Sequence, residues 1–270
     1  MTDTLKLMAI LAHPDDESLG FGGILAKSAA ENIETTLITA TLGERGWTGD
    51  EREYPGLEAL GQIREAELRA ATQVLGIRSV NLLRYIDGDL DQAHPAEVVA
   101  KIVEHLRRVR PHVVVTFGPD GGYGHPDHIA ISQFTTASII EAANPNSLYA
   151  QGLAPHSVAK LYHMAPDNNF FKSYQYVFGD LVMHIDGVER RAVGWPDWQI
   201  TTRIDASNYW RTVWQAVRCH QTQIPASHLL ERLSEEQHRV MWGFPTYYRV
   251  SSLVNGGRSV EHDMFEGLRF

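Results

Sequence analysis

Lys6-Leu7-Met8-Ala9-Ile10-Leu11-Ala12 runs directly into His13-Pro14-Asp15-Asp16-Glu17. An apolar, β-forming run followed at once by an imidazole and three carboxylates reads as a buried strand that delivers polar groups to the edge of a sheet. That edge is where open α/β sheets hold ligands. Three adjacent acids repel one another unless a cation, a basic group or water offsets them, and a divalent metal is the economical cation. In His13-x-x-Asp16 one imidazole and one carboxylate can converge on a single point, a pair that suits zinc. Asp15, between them, points elsewhere and stays free to handle protons. The same five residues also fit an acidic turn that caps the following helix, and a third ligand elsewhere has to decide between the two.

Outward from this stretch the pattern alternates. Residues 18–31, rich in Gly, Ala, Leu and Ile, predict one helix packed closely on the sheet. Gly20, Gly22 and Gly23 do not make a dinucleotide loop: G-x-G-x-x-G requires glycine where Leu25 stands, and the anions ahead would repel a pyrophosphate. Residues 35–41 predict a second strand and 43–56 a long polar loop of the kind that serves a site. A helix over 57–75 is stopped by Gly76, and a short strand follows at 80–83, with Asp87-Gly88-Asp89 as a turn. A helix over 95–110 ends at Pro111, and 113–117 form the fourth strand. Strands alternating with helices imply βαβ crossovers, hence an α/β fold: a Rossmann-like, doubly wound, mostly parallel sheet with helices on both faces. Beyond Tyr149 the alternation weakens. Residues 160–164 read as a fifth strand, 166–206 are not assigned, 209–219 read as a helix whose aromatic stripe is core, and 247–254 read as a late strand. The expected organisation is a single domain over 1–270, with the parallel-sheet core in 1–165 and an irregular α+β extension in 166–270 that walls one side of the site.

Composition agrees with such a domain. A chain of 270 residues with 43% hydrophobic content can bury its core without staples. The single cysteine, Cys219, excludes an internal disulfide, fits a reducing compartment and leaves histidines and carboxylates as the metal ligands. Met1-Thr2-Asp3-Thr4 carries no basic n-region, and the apolar stretch after it is too short to span a bilayer, so a cytoplasmic location is expected. The formal net charge of −9 disfavours nucleic acid or an anionic membrane as partner. The one basic cluster, Arg107-Arg108-Val109-Arg110, falls at a helix C-terminus, where cations complement the dipole, and reads as a solvated helix end.

The fourth strand opens into Gly118-Pro119-Asp120-Gly121-Gly122-Tyr123-Gly124-His125-Pro126-Asp127-His128. Pro126 suits the first position of a helix, and His125 and His128, three apart around its start, can face one cavity. Here is the missing imidazole. Both polar loops follow parallel strands and so lie at the same carboxyl edge. Among thirteen histidines a lone one means little, but two His-Pro-Asp clusters, each after a strand, favour a metal site over coincidence.

The segments 12–17, 41–44 (Thr41-Leu42-Gly43-Glu44) and 121–128 resemble, in that order and over about the first 140 residues, the LmbE-like (PIG-L) family of zinc-dependent N-deacetylases, with a weaker echo at His220-Gln221-Thr222-Gln223. The resemblance implies a Zn2+ cofactor held by His13, Asp16 and His128, with Asp15 as general base. It makes His125 the general acid or electrostatic stabiliser, oriented by Asp127. Arg64 would contact substrate hydroxyls and Tyr123 the developing oxyanion. It implies a Rossmann-like sheet of about five parallel strands and a small-molecule N-acetylated amino sugar as partner. The expected substrate is an N-acetylglucosaminyl-malate-like glycoside of low-molecular-weight thiol (bacillithiol or mycothiol) biosynthesis, because Trp47 stands where the inositol-specific members carry a further acid. The same apparatus also suits an amidase acting on a larger thiol-conjugate amide. A non-catalytic sugar- or nucleotide-binding module with a structural zinc is the reading from another class, but such sites are closed by four protein ligands and three stand out here. A homo-oligomer is compatible with the sequence, which does not set the oligomeric state.

Overall fold

A computed structural model describes residues 4–149, 152–185, 187–224, 228–257 and 259–269. Residues 1–3, part of the stretch from which the absence of a leader was expected, lie outside them. The first half follows the expected alternation: β1 (Lys6–Leu11), α1 (Asp16–Leu19), α2 (Gly22–Ala30), β2 (Glu34–Thr41), α3 (Leu57–Leu75), β3 (Ser79–Tyr85), α4 (Pro95–Val109), β4 (Val113–Thr116), the single turn α5 (Gly121–Gly124), α6 (Pro126–Ala143) and β5 (Lys160–Met164). The remainder supplies α7 (Asn168–Phe178), a hairpin of β6 (Val182–Ile185) and β7 (Val188–Arg191), then β8 (Thr202–Arg203), α8 (Trp210–Val217), α9 (Glu235–Gly243) and β9 (Thr246–Ser252).

The main sheet has seven strands in the order β3-β2-β1-β4-β5-β9-β8. The first five are parallel, and β9 runs antiparallel to both β5 and β8. β1 sits in the middle, with Leu7 beside Thr35 on one side and Val113 on the other. Its residues from Leu7 to Leu11 are fully buried, which is why the run is continuously apolar rather than alternating. From β1 the chain winds outward to β2 and β3, then returns across β1 to β4 and β5. The order therefore reverses between β1 and β4, and a crevice opens there at the carboxyl ends of the strands. Among the described residues no helix is long and apolar enough to cross a membrane.

Three expectations are corrected. The single helix over 18–31 is two helices, broken at Gly20 and Phe21. The Phe21 ring is fully buried edge-on to Phe117, with centroids 5.5 Å apart. Gly22 and Gly23 then pass so close to the C-terminal third that added Cβ atoms would lie 2.8 Å from Val213 Cγ1 and 2.9 Å from the Trp242 carbonyl oxygen. Tertiary packing, not propensity, sets that break. The basic cluster at 107–110 is not simply solvated, since Arg107 is 3% exposed. Its guanidinium donates to the carbonyl oxygens of Glu141, Ala142, Asn144 and Leu153, so it satisfies the orphaned end of α6. The last third is also more than a wall, because β9 and β8 extend the main sheet.

That extension is tied down by Glu261, which is 1% exposed. Its carboxylate accepts from Lys160 Nζ (2.8 Å), Tyr162 OH (2.7 Å), Thr202 Oγ1 (3.0 Å) and Asn255 Nδ2 (2.6 Å), and pairs with Arg249 (2.8 Å). Burial pushes this carboxyl up, but Lys160 and the other donors outweigh it and hold it down at about 2, against an ordinary 4.5. A carboxyl lowered in the folded state contributes stability that is present above its ordinary pKa and lost as pH falls toward the folded value. Glu261→Gln is expected to cost about 3–5 kcal/mol in chemical denaturation, because buried Lys160 loses its counter-charge. The wild-type excess over the variant should shrink as pH drops from about 4.5 toward 2, and a pH-independent difference would contradict this account.

Candidate metal and active site

At the end of β1 the chain turns sharply, and Asp15 takes a positive φ of 112°. For a non-glycine residue that backbone is strained by about 1–3 kcal/mol and persists only where its surroundings over-determine it. They do so here. The Asp15 N–H donates to Glu17 Oε2 (3.0 Å), and its carbonyl accepts from the N–H groups of Ser18 and Leu19. Glu17 is itself fixed, accepting from Ser18 Oγ (2.5 Å) and lying 2.7 Å from His220 Nε2. The turn sends Asp16 back over the strand end, where Oδ2 accepts from the N–H groups of His13 (2.8 Å) and Ala12 (3.1 Å). Asp15 faces the other way, onto the guanidinium of Arg64 (3.0 Å).

The loop after β4 brings the second cluster to the same crevice. Pro126 opens α6, and the Asp127 N–H donates to Nδ1 of His125 at its N-cap (3.2 Å). His128 stacks between Phe117 (3.9 Å) and His125 (4.6 Å), with Nδ1 3.2 Å from the Gly121 carbonyl. That carbonyl can only accept, so Nδ1 carries the proton and Nε2 presents a lone pair. His13 is set in the same manner. Its Nε2 lies 3.1 Å from both Asp127 Oδ2 and Asp87 Oδ1, so the proton sits there and the Nδ1 lone pair faces inward. Asp127 is held in turn by the N–H groups of Gly88 (2.8 Å) and Leu90 (3.1 Å). It meets His125 through its backbone N–H, and its carboxylate serves His13.

The two inward nitrogens, His13 Nδ1 and His128 Nε2, are 3.1 Å apart. Asp16 completes the triangle, with Oδ1 3.5 Å from His128 Nε2 and Oδ2 3.8 Å from His13 Nδ1. Ligands about 2.0–2.1 Å from a tetrahedral ion stand roughly 3.4 Å apart, so these spacings fit one. Two lone pairs aimed at each other need a positive charge between them. Without a metal a proton fills the role. Burial lowers the His13 imidazole, but Asp127, Asp87 and Asp16 outweigh it and push it up to about 10. His128 is driven well below its ordinary value, by burial and then by His13. The outward nitrogens carry the hydrogen-bonded carboxylate and carbonyl partners that orient ligating histidines. Among the described residues, His13, His125 and His128 bring ligand atoms close enough together to hold one metal ion, as do His13, Asp87 and Asp127 on the other side of the His13 ring, and Asp16 stands beside the first group through two different oxygens.

Two cavities share Asp15, Asp16, Tyr123 and His128 in their walls. One, of about 270 Å³, is polar and adds Arg64, Asp87, His125 and Gln223. The other, of about 140 Å³, is mostly apolar and adds Leu19, Phe117, Met164 and, from α7, Phe170, Phe171 and Tyr174. Burial pushes the carboxyls of Asp15 and Asp16 up to about 6; Arg64 opposes the rise at Asp15 and His13 opposes it at Asp16. Tyr123 is pushed well above the usual phenol range by burial and by Asp16, so its hydroxyl stays neutral. Arg64, 3% exposed, directs Nη1 and Nη2 to Asp15 and to the carbonyl oxygens of Pro14 (2.6 Å) and Gly43 (2.7 Å), and its Nε–H has no partner among the described residues. The Trp47 ring packs on Tyr54 (6.1 Å) and its indole N–H donates to the Asp50 carbonyl, leaving Gly46 rather than Trp47 at the cavity wall.

Residues 8–139 match the PIG-L family, described as GlcNAc-PI de-N-acetylase. Over 97% of this chain and 83% of the relative, the sequence is 31% identical to the 1D-myo-inositol 2-acetamido-2-deoxy-alpha-D-glucopyranoside deacetylase of Kineococcus radiotolerans. The chain belongs to the PIG-L family of de-N-acetylases. Among solved structures it is similar in fold to the N,N'-diacetylchitobiose deacetylase of Pyrococcus horikoshii (TM-score 0.69, 20% identity, 92% of this chain and 84% of that one). It is also similar to GalB, the 4-carboxy-2-hydroxymuconate hydratase of Pseudomonas putida KT2440 (TM-score 0.67, 17% identity, 94% and 99%). A fold shared with a hydratase does not fix the reaction, which must be argued from the site.

Four residues of this PIG-L site were given no role by the sequence. Asp87, held down at about 2 chiefly because His13 outweighs its burial, was read only as part of a turn. The available signal was its place just past a third parallel strand, at the same edge as the two motifs. Glu17 and His220 form a buried pair that joins the first motif to the C-terminal third. Tyr174 of α7 feels the charges of Asp15 and Asp16, which with burial push its hydroxyl up.

Proposed function

We propose that this PIG-L chain hydrolyses the acetamide of an N-acetylglucosaminyl glycoside with a small polar aglycone, the inositol glycoside foremost, using zinc held by His13, Asp16 and His128. The observation that carries the reading is the convergence of those three side chains beside a partly buried Asp15 at the mouth of a polar cavity. Zinc bound there supplies a Lewis acid that polarises a carbonyl and lowers the pKa of water to about 7.

The chain's own groups do the rest. Asp15, fixed by Arg64 and by the strained turn, takes a proton from the attacking water. Tyr123 donates its neutral hydroxyl toward the oxygen on which charge develops. His125 accepts the Asp127 N–H at Nδ1, so its one ring proton is on Nε2; burial and then the neighbouring His13 hold its imidazole neutral, with a pKa down at about 3, and it donates that N–H as a hydrogen bond to the reacting amide without giving the proton up. The proton that Asp15 takes from water passes to the departing nitrogen as the C–N bond breaks, and acetate and a free amine leave with Asp15 again ionised. Arg64, Asp87 and Gln223 line the polar side, where sugar hydroxyls find partners. The case for malate over inositol rested on Trp47, and that side chain lies away from the cavity wall. The inositol-glycoside relatives support the inositol reading.

Metal-loaded protein incubated with N-acetylglucosaminyl-inositol, N-acetylglucosaminyl-malate and free N-acetylglucosamine is expected to release primary amine fastest from the inositol glycoside. Faster release from malate would reassign the aglycone. No release from any of them, with zinc present, would sink the reading.

A further inference from the structure

Beside the polar cavity lies the apolar chamber of about 140 Å³, walled by Phe117, Met164, Phe170, Phe171, Tyr174 and Leu181. We infer that this chamber receives the acyl chain of the substrate and that the enzyme takes N-acyl groups longer than acetyl. The inference rests on the deacylase reading above and extends it to the substrate class.

The geometry fixes which part of an amide goes where. Both cavities have Asp15, Asp16, Tyr123 and His128 in their walls, so the carbonyl sits between them. Sugar hydroxyls need hydrogen-bond partners, and burying one without a partner is costly. Arg64, Asp87, Gln223 and His125 line the polar cavity and not the chamber. The amine side of the amide therefore lies in the polar cavity. The other substituent of the carbonyl carbon, the acyl chain, points into the chamber.

Its size sets the length. A methyl-sized group occupies about 30 Å³, so about 140 Å³ holds roughly four carbons, the acetyl methyl and about three more. Glycine at 20 and 122 keeps this space open. A Cβ at Gly20 would lie 3.1 Å from Met164 Sδ and one at Gly122 4.0 Å from Met164 Cε. The reaction stays balanced whatever the chain: water forms the new C–O bond, the C–N bond breaks, and one carboxylic acid and one amine result.

The test is a kinetic series of N-acetyl, N-propionyl, N-butyryl, N-pentanoyl and N-octanoyl glucosaminyl-inositol, with both amine and released acid quantified. In the wild type kcat/KM should rise about fourfold per added methylene up to pentanoyl and fall at octanoyl. Leu181→Trp, which narrows the chamber from a position outside the catalytic set, should stay within about twofold of wild type on the acetyl substrate and lose the gain on longer chains. Its acetyl activity reports that it is folded. Phe170→Ala should move the optimum to a longer chain. A wild-type series that falls steadily from acetyl overturns the inference and leaves the deacetylase reading standing. Absence of hydrolysis across the whole series overturns both.

Discussion

Asp15→Asn is expected to keep one metal per chain and to lose about 10²–10⁴ in kcat, the contribution typical of a positioned general base. Asparagine retains the shape and can still meet the Arg64 guanidinium through its amide oxygen, so the turn and the three ligands should survive. Only the proton acceptor is removed. The pH profile gives a second readout. Asp15 works as a base when ionised, and burial lifts its carboxyl to about 6 despite Arg64. Activity should therefore rise with pH along an acid limb near or below pH 6, a bound dication pulling it downward by favouring the carboxylate. That limb should disappear in the variant's residual rate. A metal-loaded Asp15→Asn protein with wild-type turnover would remove Asp15 from the chemistry.

Asp16→Ala is the complementary case, in which metal is lost. Its carboxylate faces both inward nitrogens and is held by two backbone N–H groups, so in the proposed site it would be both ligand and brace. Loss of even an outer-shell partner of a ligand typically costs 10–100-fold in affinity, and removal of a ligand should cost more than about 100-fold. Metal content after dialysis, together with calorimetric titration of zinc, measures this directly. Asp87→Asn should fall in the 10–100-fold range, because it disturbs only the far nitrogen of His13. If Asp16→Ala retains stoichiometric metal while Asp87→Asn loses it, the cation sits on the other side of His13, among Asp87 and Asp127.

The core of the site was legible in the sequence because its parts are local. His13 and Asp16 are three residues apart at a strand end, His125 and His128 three apart at a helix start, and two apolar strands place both at one edge. What escaped depends on distant partners. Nothing near Asp87 in sequence says that it meets His13, and nothing near Glu17 points to His220. The break at Gly20 and Phe21 is set by Val213 and Trp242, far along the chain in its last third. The chamber's aromatic residues Phe170, Phe171 and Tyr174 come from 166–206, where no periodicity marks a face. Arg107 looked like a helix-end cation and is one, but the carbonyl oxygens it serves belong largely to the end of another helix, α6.

The contact between Lys160 and Glu261 spans 101 residues, and it matters before the chain is complete. Ribosomes extend a chain at about 5–20 residues per second, so β5 emerges with a lysine destined for full burial about 5–20 s before its carboxylate exists. During that interval β5 is also the outer strand of a parallel sheet whose next neighbour, β9, has not been made. The nascent chain therefore carries an open strand edge bearing a positive charge, and a charged edge resists pairing with other chains. The lysine that waits for its carboxylate thus also guards the edge while it waits.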